Sequence, residues 1–207
     1  MLCVDCSLDE TYRLVVQKYN RQNKILLRGQ QLVLPPMEAS WQSLSPFAST
    51  GYSEYLDVVI FDPALLAWAH YFAGELQQWG PAVGGKDWCP DRGRACRTNV
   101  GTHIVSEAAS VNRRSGAYPV GCSGGRCARM PYFTRITTWG QGFHHRSIGG
   151  KHASHGCIGL FEFDAVYVNT LARQIVGKSG YGYFTENQIN ESLTVLVLPY
   201  EAQLPTT

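Results

Sequence analysis

Two neighbouring runs, Phe143-His144-His145-Arg146 and Ala153-Ser154-His155-Gly156-Cys157-Ile158, decide how this chain is read. Cys157 is the one cysteine of seven with no partner close by in sequence, the others falling as Cys3/Cys6, Cys89/Cys96 and Cys122/Cys127. Close pairs suit disulfides in an oxidising compartment, so the leftover thiol needs another reason to be there. A thiolate is the reactive form of cysteine, and a neighbouring imidazole can take its proton. Backbone N–H groups beside a glycine can face an oxyanion. Cys157 therefore reads as a nucleophile, with its base among the upstream histidines and Gly156 where backbone and substrate come close. His144 and His145 alternate along a strand, so only one of them should reach the sulfur.

The 207 residues are enough for one sizeable core with a small appendage, and low charge with many Gly, Tyr and Trp favours a mainly β fold. A net charge of +2 lacks the basic stripe that nucleic acid would need. No apolar run approaches the roughly 20 residues of a membrane span, so no transmembrane segment is expected. Residues 1–10 carry neither a basic n-region nor an apolar h-region, and no signal peptide is visible in the chain.

The first stretch has helical spacing around Leu14, Val15, Lys18 and Tyr19, then a turn at Gly29 into a short strand ending at Pro35. Residues 38–55 read as a linker, and Val58-Val59-Ile60-Phe61 as the first strand of the main domain, taken as 56–200. A hairpin follows, with arms 66–72 and 76–79 around Ala73-Gly74 and with His70 as a strand-face side chain. Residues 84–98 form an ordered loop that a Cys89–Cys96 disulfide would close. The cysteine spacings lack the usual two-residue zinc knuckle. Strands are expected at 101–105, 130–139 and 193–198, with a return strand after the turn Gly140-Gln141-Gly142. Residues 162–176 predict a helix with Phe163, Val166, Tyr167, Leu171 and Ile175 on its buried face and Gly177 just past its end. The tail, 201–207, reads as loose.

Ser154-His155-Gly156-Cys157-Ile158 resembles the Ser-His-Gly-Cys signature of the YkuD-type L,D-transpeptidases, and Gly140 to His145 resembles their Gly-x-x-Ile-His-Gly strand. Trp79-Gly80-Pro81, Cys89-Pro90-Asp91, Cys96-Arg97-Thr98, Val100-Gly101-Thr102 and Met130-Pro131-Tyr132 extend the likeness, toward a cysteine-containing subgroup, over about residues 56 to 175. Residues 29–35 are similar to the end of a LysM glycan-binding module, so 1–37 is either such a segment, reaching glycan, or a small α/β appendage packed on the main domain.

The resemblance implies a YkuD-like β-sandwich with one helix after the active-site cysteine, in the envelope or periplasm of a bacterium. It implies peptidoglycan stem peptides as substrate, Cys157 as nucleophile, His144 as base, and a thioester formed with release of D-alanine. Water as acceptor would make the chain an L,D-carboxypeptidase, and a degenerate site would leave a non-catalytic wall-binding protein. His155 would shape the cysteine turn or simply bond to loop backbone, and Ser154 would support the loop. His145 holds the place of the family's glycine, and Gly159 that of its arginine, a residue implied to orient the active-site loop or the substrate carboxylate, for which nearby Arg146 could substitute. His152 reads as solvated. A metal held by His144, His145, His152, His155 and Cys157 lacks a carboxylate or second cysteine, so neither metal nor cofactor is expected.

Overall fold

The computed structural model describes residues 10–24, 28–179 and 192–201. The Cys3/Cys6 pair and residues 202–207 of the tail lie outside the described residues. Helix α1 (Glu10–Tyr19) is followed by strands β1 (Asp57–Asp62), β2 (Ala67–Phe72), β3 (Glu75–Val83), β4 (Gly101–Ile104), β5 (Glu107–Ala108), β6 (Thr134–Arg135), β7 (Gly142–His145) and β8 (Ile158–Leu160). Helix α2 (Glu162–Ser179) and strand β9 (Thr194–Val197) complete the order.

The nine strands make one curled sheet in the order β4-β9-β1-β2-β3-β8-β7-β6-β5. The pairs β1/β9 and β7/β8 are parallel and the others antiparallel. Strand β3 joins the two halves: Glu75 to Pro81 pair with β2, while Ala82 and Val83 pair with β8. The curl brings inward-facing residues of both halves together, Val59, Phe61 and Trp68 from one and Phe143, Ile158 and Leu160 from the other. Alternate residues of β1 and β2, Val58, Ile60, Ala69 and Tyr71, face the opposite way, and Trp41, Leu44, Phe47, Tyr52 and Tyr55 cover them. Strand β1 is thus buried on both sides, which accounts for its unbroken apolar run. It also puts much of the stretch read as a linker against the sheet.

Three expected elements differ. The strand over 130–139 shrinks to two residues, because Pro131 lacks an N–H, Tyr132 has a left-handed φ of 59° and a turn closes from Thr137 to Gly140. Residues 28–36 form no strand. The Asn20 side chain acts as their partner instead, accepting from the Val33 N–H at 2.9 Å and donating to its carbonyl at 2.7 Å. Helix α2 runs through Gly177, and its fully buried apolar residues are Ala165, Val168 and Ala172, beside the buried Asp164 and Asn169, while Phe163 and Val166 are exposed. Small residues there let the helix lie close on the sheet.

Phe163 turns instead toward α1. Lys18 of α1 is buried, donating from Nζ to the Trp79 carbonyl at 3.0 Å and lying 3.6 Å from Asp164 Oδ1. Its ammonium also sits 4.7 Å from the centre of the Trp41 ring and 4.8 Å from that of Phe163. One side chain thus ties α1, residues 41–47, β3 and α2 together.

Candidate active site

The cysteine turn is built from its first residue. Ser154 Oγ accepts the Gly156 N–H at 3.0 Å and donates to the Cys157 carbonyl, the hydroxyl turn that a short polar side chain makes with its own backbone. Gly156 has φ +119°, which requires glycine, and a Cβ there would sit 2.5 Å from Gln141 Nε2 and push that amide aside. Outer loops brace the turn: Lys86 N–H donates to the Ser154 carbonyl at 3.0 Å, and Thr98 Oγ1 donates to the Gly156 carbonyl at 2.9 Å while accepting from Gly85 N–H at 3.2 Å. Gln141 ties in the same loops, accepting from Asn99 N–H at 3.0 Å. The Cys89–Cys96 and Cys122–Cys127 disulfides are formed, and Cys157 is the free cysteine among the described residues.

In the parallel pair β7/β8, Phe143 lies opposite Ile158 and His144 opposite Gly159. Phe143 and Ile158 both face the core, so alternation sends His144, Gly159 and Cys157 to the other face together. His144 Nδ1–H donates to the His145 carbonyl at 2.8 Å, which leaves Nε2 as the ring's free lone pair. Burial lowers the His144 pKa to about 4, with the hydrogen bond to His145 pulling upward and Arg146 adding to the drop. The imidazole is neutral at pH 7. Burial pushes the Cys157 thiol up, opposed by the Gly142 N–H and by the charges of Arg146 and Arg135. At rest the thiol is therefore protonated, 3.9 Å from the Gly140 carbonyl, and the imidazole that alternation places on the same face is neutral. Such a pair exchanges a proton when an electrophile arrives, and the two arginines reduce the cost of the thiolate.

Gly159 makes room for Arg146: a Cβ on Gly159 would overlap the Cγ and Cδ of that arginine. The Arg146 stem thus crosses the strand two residues beyond the thiol, on the thiol's face. His145 goes elsewhere. Its ring does not share the face of Cys157, and its buried Nδ1 has no partner. The Gly156 N–H, expected to face an oxyanion, is taken by Ser154. His152 is not solvated; it accepts the Gly84 N–H at 2.9 Å, donates to the Pro63 carbonyl at 3.1 Å and packs on Tyr200. His155 bonds to a side chain rather than to backbone, placing Nε2 3.1 Å from the Asp91 carboxylate and stacking on Tyr118 with ring centres 3.9 Å apart.

Sequence reasoning did not single out Gln141, Thr98, Asp91 or Tyr118. Gln141 had a signal, lying between the two glycines of the turn before the histidine strand; Tyr118 had none. Cys89, Asp91 and His155 present ligand atoms within 4.8 Å of one another, but the Cys89 sulfur is spent in its disulfide. A cavity of about 600 Å³ lies under the Cys122–Cys127 loop, and no residue of the cysteine turn lines it.

No protein-family model matches the chain, and no curated protein matches it. Among solved structures it is similar to the crystal structure of the L,D-transpeptidase (residues 123–326) from Xylanimonas cellulosilytica, with a TM-score of 0.55 and 18% identity over 89% of this chain and 77% of that one. It also matches an L,D-transpeptidase from Mycobacterium smegmatis (TM-score 0.48, 18% identity, 70% of this chain) and one from Mycobacterium tuberculosis (0.47, 19%, 70%). The chain spans 59% and 58% of those two. The fold is that of the L,D-transpeptidases.

Proposed function

We propose that this chain is a peptidoglycan L,D-transpeptidase acting in a bacterial envelope. His144 Nε2 takes the Cys157 proton as the sulfur attacks the carbonyl of the third stem residue, a diamino acid. The C–N bond to the terminal D-alanine breaks, His144 returns the proton to the leaving amine, and a thioester remains. An acceptor amine then attacks the thioester, giving its proton to His144, which passes it to the departing thiolate and so restores the thiol. With the Gly156 N–H engaged, the Cys157 N–H is the amide of the turn left to stabilise the oxyanion.

The observation that carries this reading is the shared face of Cys157 and His144, with the histidine's Nδ1 pinned to backbone and its Nε2 free. Arg146, laid over Gly159 near the thiol, supports the assignment of the family arginine's work to a residue on the neighbouring strand. His155 and Ser154 are positioning residues for the turn. Two disulfides beside a free thiol support an oxidising, extracytoplasmic location. The burial of Lys18 supports packing, rather than glycan capture, as the work of α1.

The test is acylation by a carbapenem followed by intact mass, together with conversion of purified stem tetrapeptides. One adduct per chain, lost in Cys157→Ala, is expected. No adduct and unchanged tetrapeptide would refute the proposal.

A further inference from the structure

A trans peptide is flat, with its carbonyl and its N–H pointing in opposite directions, so a partner at one end aims the other. The peptide that carries the Cys157 N–H, the amide given above to the oxyanion, has the Gly156 carbonyl at its other end. Thr98 Oγ1 donates to that carbonyl at 2.9 Å, and Thr98 is almost fully buried. The same hydroxyl accepts the Gly85 N–H at 3.2 Å. The Thr98 backbone is anchored in turn, its N–H donating to the Tyr200 hydroxyl at 2.8 Å. Gly85 makes the approach possible: a Cβ there would overlap the Cys96 carbonyl and come within 2.9 Å of Gly156 Cα. A line of hydrogen bonds thus runs from Gly85 through Thr98 to the peptide of the nucleophile, each bond polarising the next.

This peptide needs such a hold. Turning it over requires a change in Gly156 ψ and Cys157 φ, and Gly156, with φ +119° and no Cβ, opposes that change less than any other residue would. The remaining bonds of the turn act on its neighbours. Ser154 Oγ engages the Gly156 N–H and the Cys157 carbonyl, and the Lys86 N–H engages the Ser154 carbonyl, which belong to the peptides before and after. Thr98 is the side chain that grips the Gly156–Cys157 plane itself.

We infer that Thr98 is a positioning residue for acyl transfer: through the Gly156 carbonyl, its hydroxyl sets the direction of the amide that receives the oxyanion. The inference rests on the acyl-transfer reading and adds to it a residue from the loop over 84–98.

Parent, Thr98→Val and Thr98→Ser chains are mixed with a carbapenem in stopped-flow fluorescence, which separates the reversible binding constant from the acylation rate constant, and Tm is read alongside. Valine keeps the shape and loses the hydroxyl; serine keeps the hydroxyl. Losing an oxyanion donor outright costs roughly 10²–10³ in rate, so an amide still present but free to turn should cost about ten- to hundredfold. Thr98→Val should slow acylation by that factor with the binding constant unchanged, and Thr98→Ser should stay close to the parent. Parental acylation by Thr98→Val would overturn the inference, as would a loss that Thr98→Ser shares or a fall in binding and rate together. Should Thr98→Val not fold, the structure of the acylated parent decides. An acyl oxygen at hydrogen-bond distance from the Cys157 N–H, with Thr98 still on the Gly156 carbonyl, supports the assignment, and an acyl oxygen held by other donors removes it. A parent that forms no adduct refutes acyl transfer and takes this inference with it, whereas acylation indifferent to Thr98 sinks the inference alone.

Discussion

Asp164 is fully buried in the first turn of α2, and the cation beside it is Lys18, 3.6 Å away and almost as deeply buried. Burial raises the Asp164 pKa from 3.8 to about 6 despite the pull of Lys18, and burial likewise lowers the pKa of Lys18. Between about pH 4 and 6 the folded state therefore holds a proton that the unfolded chain has already released. The stability this proton confers is complete below pH 3.8 and lost as pH rises through 6. The shift corresponds to about 3 kcal/mol, or a fall in Tm of roughly 6–12 °C for a chain of this size. Differential scanning fluorimetry from pH 4 to 8 on the parent and on Asp164→Asn isolates it. The parent's Tm relative to the variant should drop across that window and level off above it. A difference that stays flat, or moves in the parent's favour, would refute the reasoning. Lys18→Met alone should cost about 3–5 kcal/mol by leaving the carboxylate without a counter-charge, while Lys18→Met with Asp164→Leu should be neutral or stabilising.

Gly156→Ala should lower stability by about 1–3 kcal/mol through its positive φ alone, and Gln141→Ala in the same chain should return only the part due to the Gln141 contact, read by urea unfolding of the four chains of the cycle. Carbapenem acylation should rise as pH passes about 4, where His144 becomes neutral and able to take the thiol proton, and then level off through neutral pH; a rate that climbs about tenfold per pH unit between 6 and 8 would mean that only the free thiolate reacts and would contradict proton transfer to His144. Gly159→Ala should slow acylation with little change in Tm, since the added methyl displaces the Arg146 stem, and an unaltered rate would show that the placement of Arg146 is immaterial.

The parts of the fold legible in the sequence are those with a local cause. A short β-branched apolar run marked β1, Ala73-Gly74 marked the hairpin, and the amphipathic run marked α2. The short spacing of the cysteines gave two disulfides. Register was the source of error elsewhere. Counting large apolar residues put Phe163 and Val166 on the buried face of α2, whereas the sheet selects the small ones, and Phe163 is drawn off by Lys18, 145 positions away. For the same reason Cys157 and Gly156 could be singled out from their neighbours, and Gly159 could be marked as unusual. That Arg146 fills the space over Gly159 depends on the pairing of β7 with β8, which no local pattern encodes.

The short loops closed by the two disulfides also bear on how the free thiol survives oxidation. Cys122 and Cys127 are 5 residues apart and Cys89 and Cys96 are 7 apart, while the cysteine nearest to Cys157 in sequence, Cys127, is 30 positions away. Closing the loop from Cys127 to Cys157 costs roughly 1.5 kcal/mol more than closing the 5-residue one, a preference of about tenfold. The unfolded chain thus favours its local pairs, and each pair formed removes two competitors for the remaining sulfur. Disulfide spacing here acts as a sorting rule during oxidative folding, delivering Cys157 reduced to a turn that the rest of the chain completes around it.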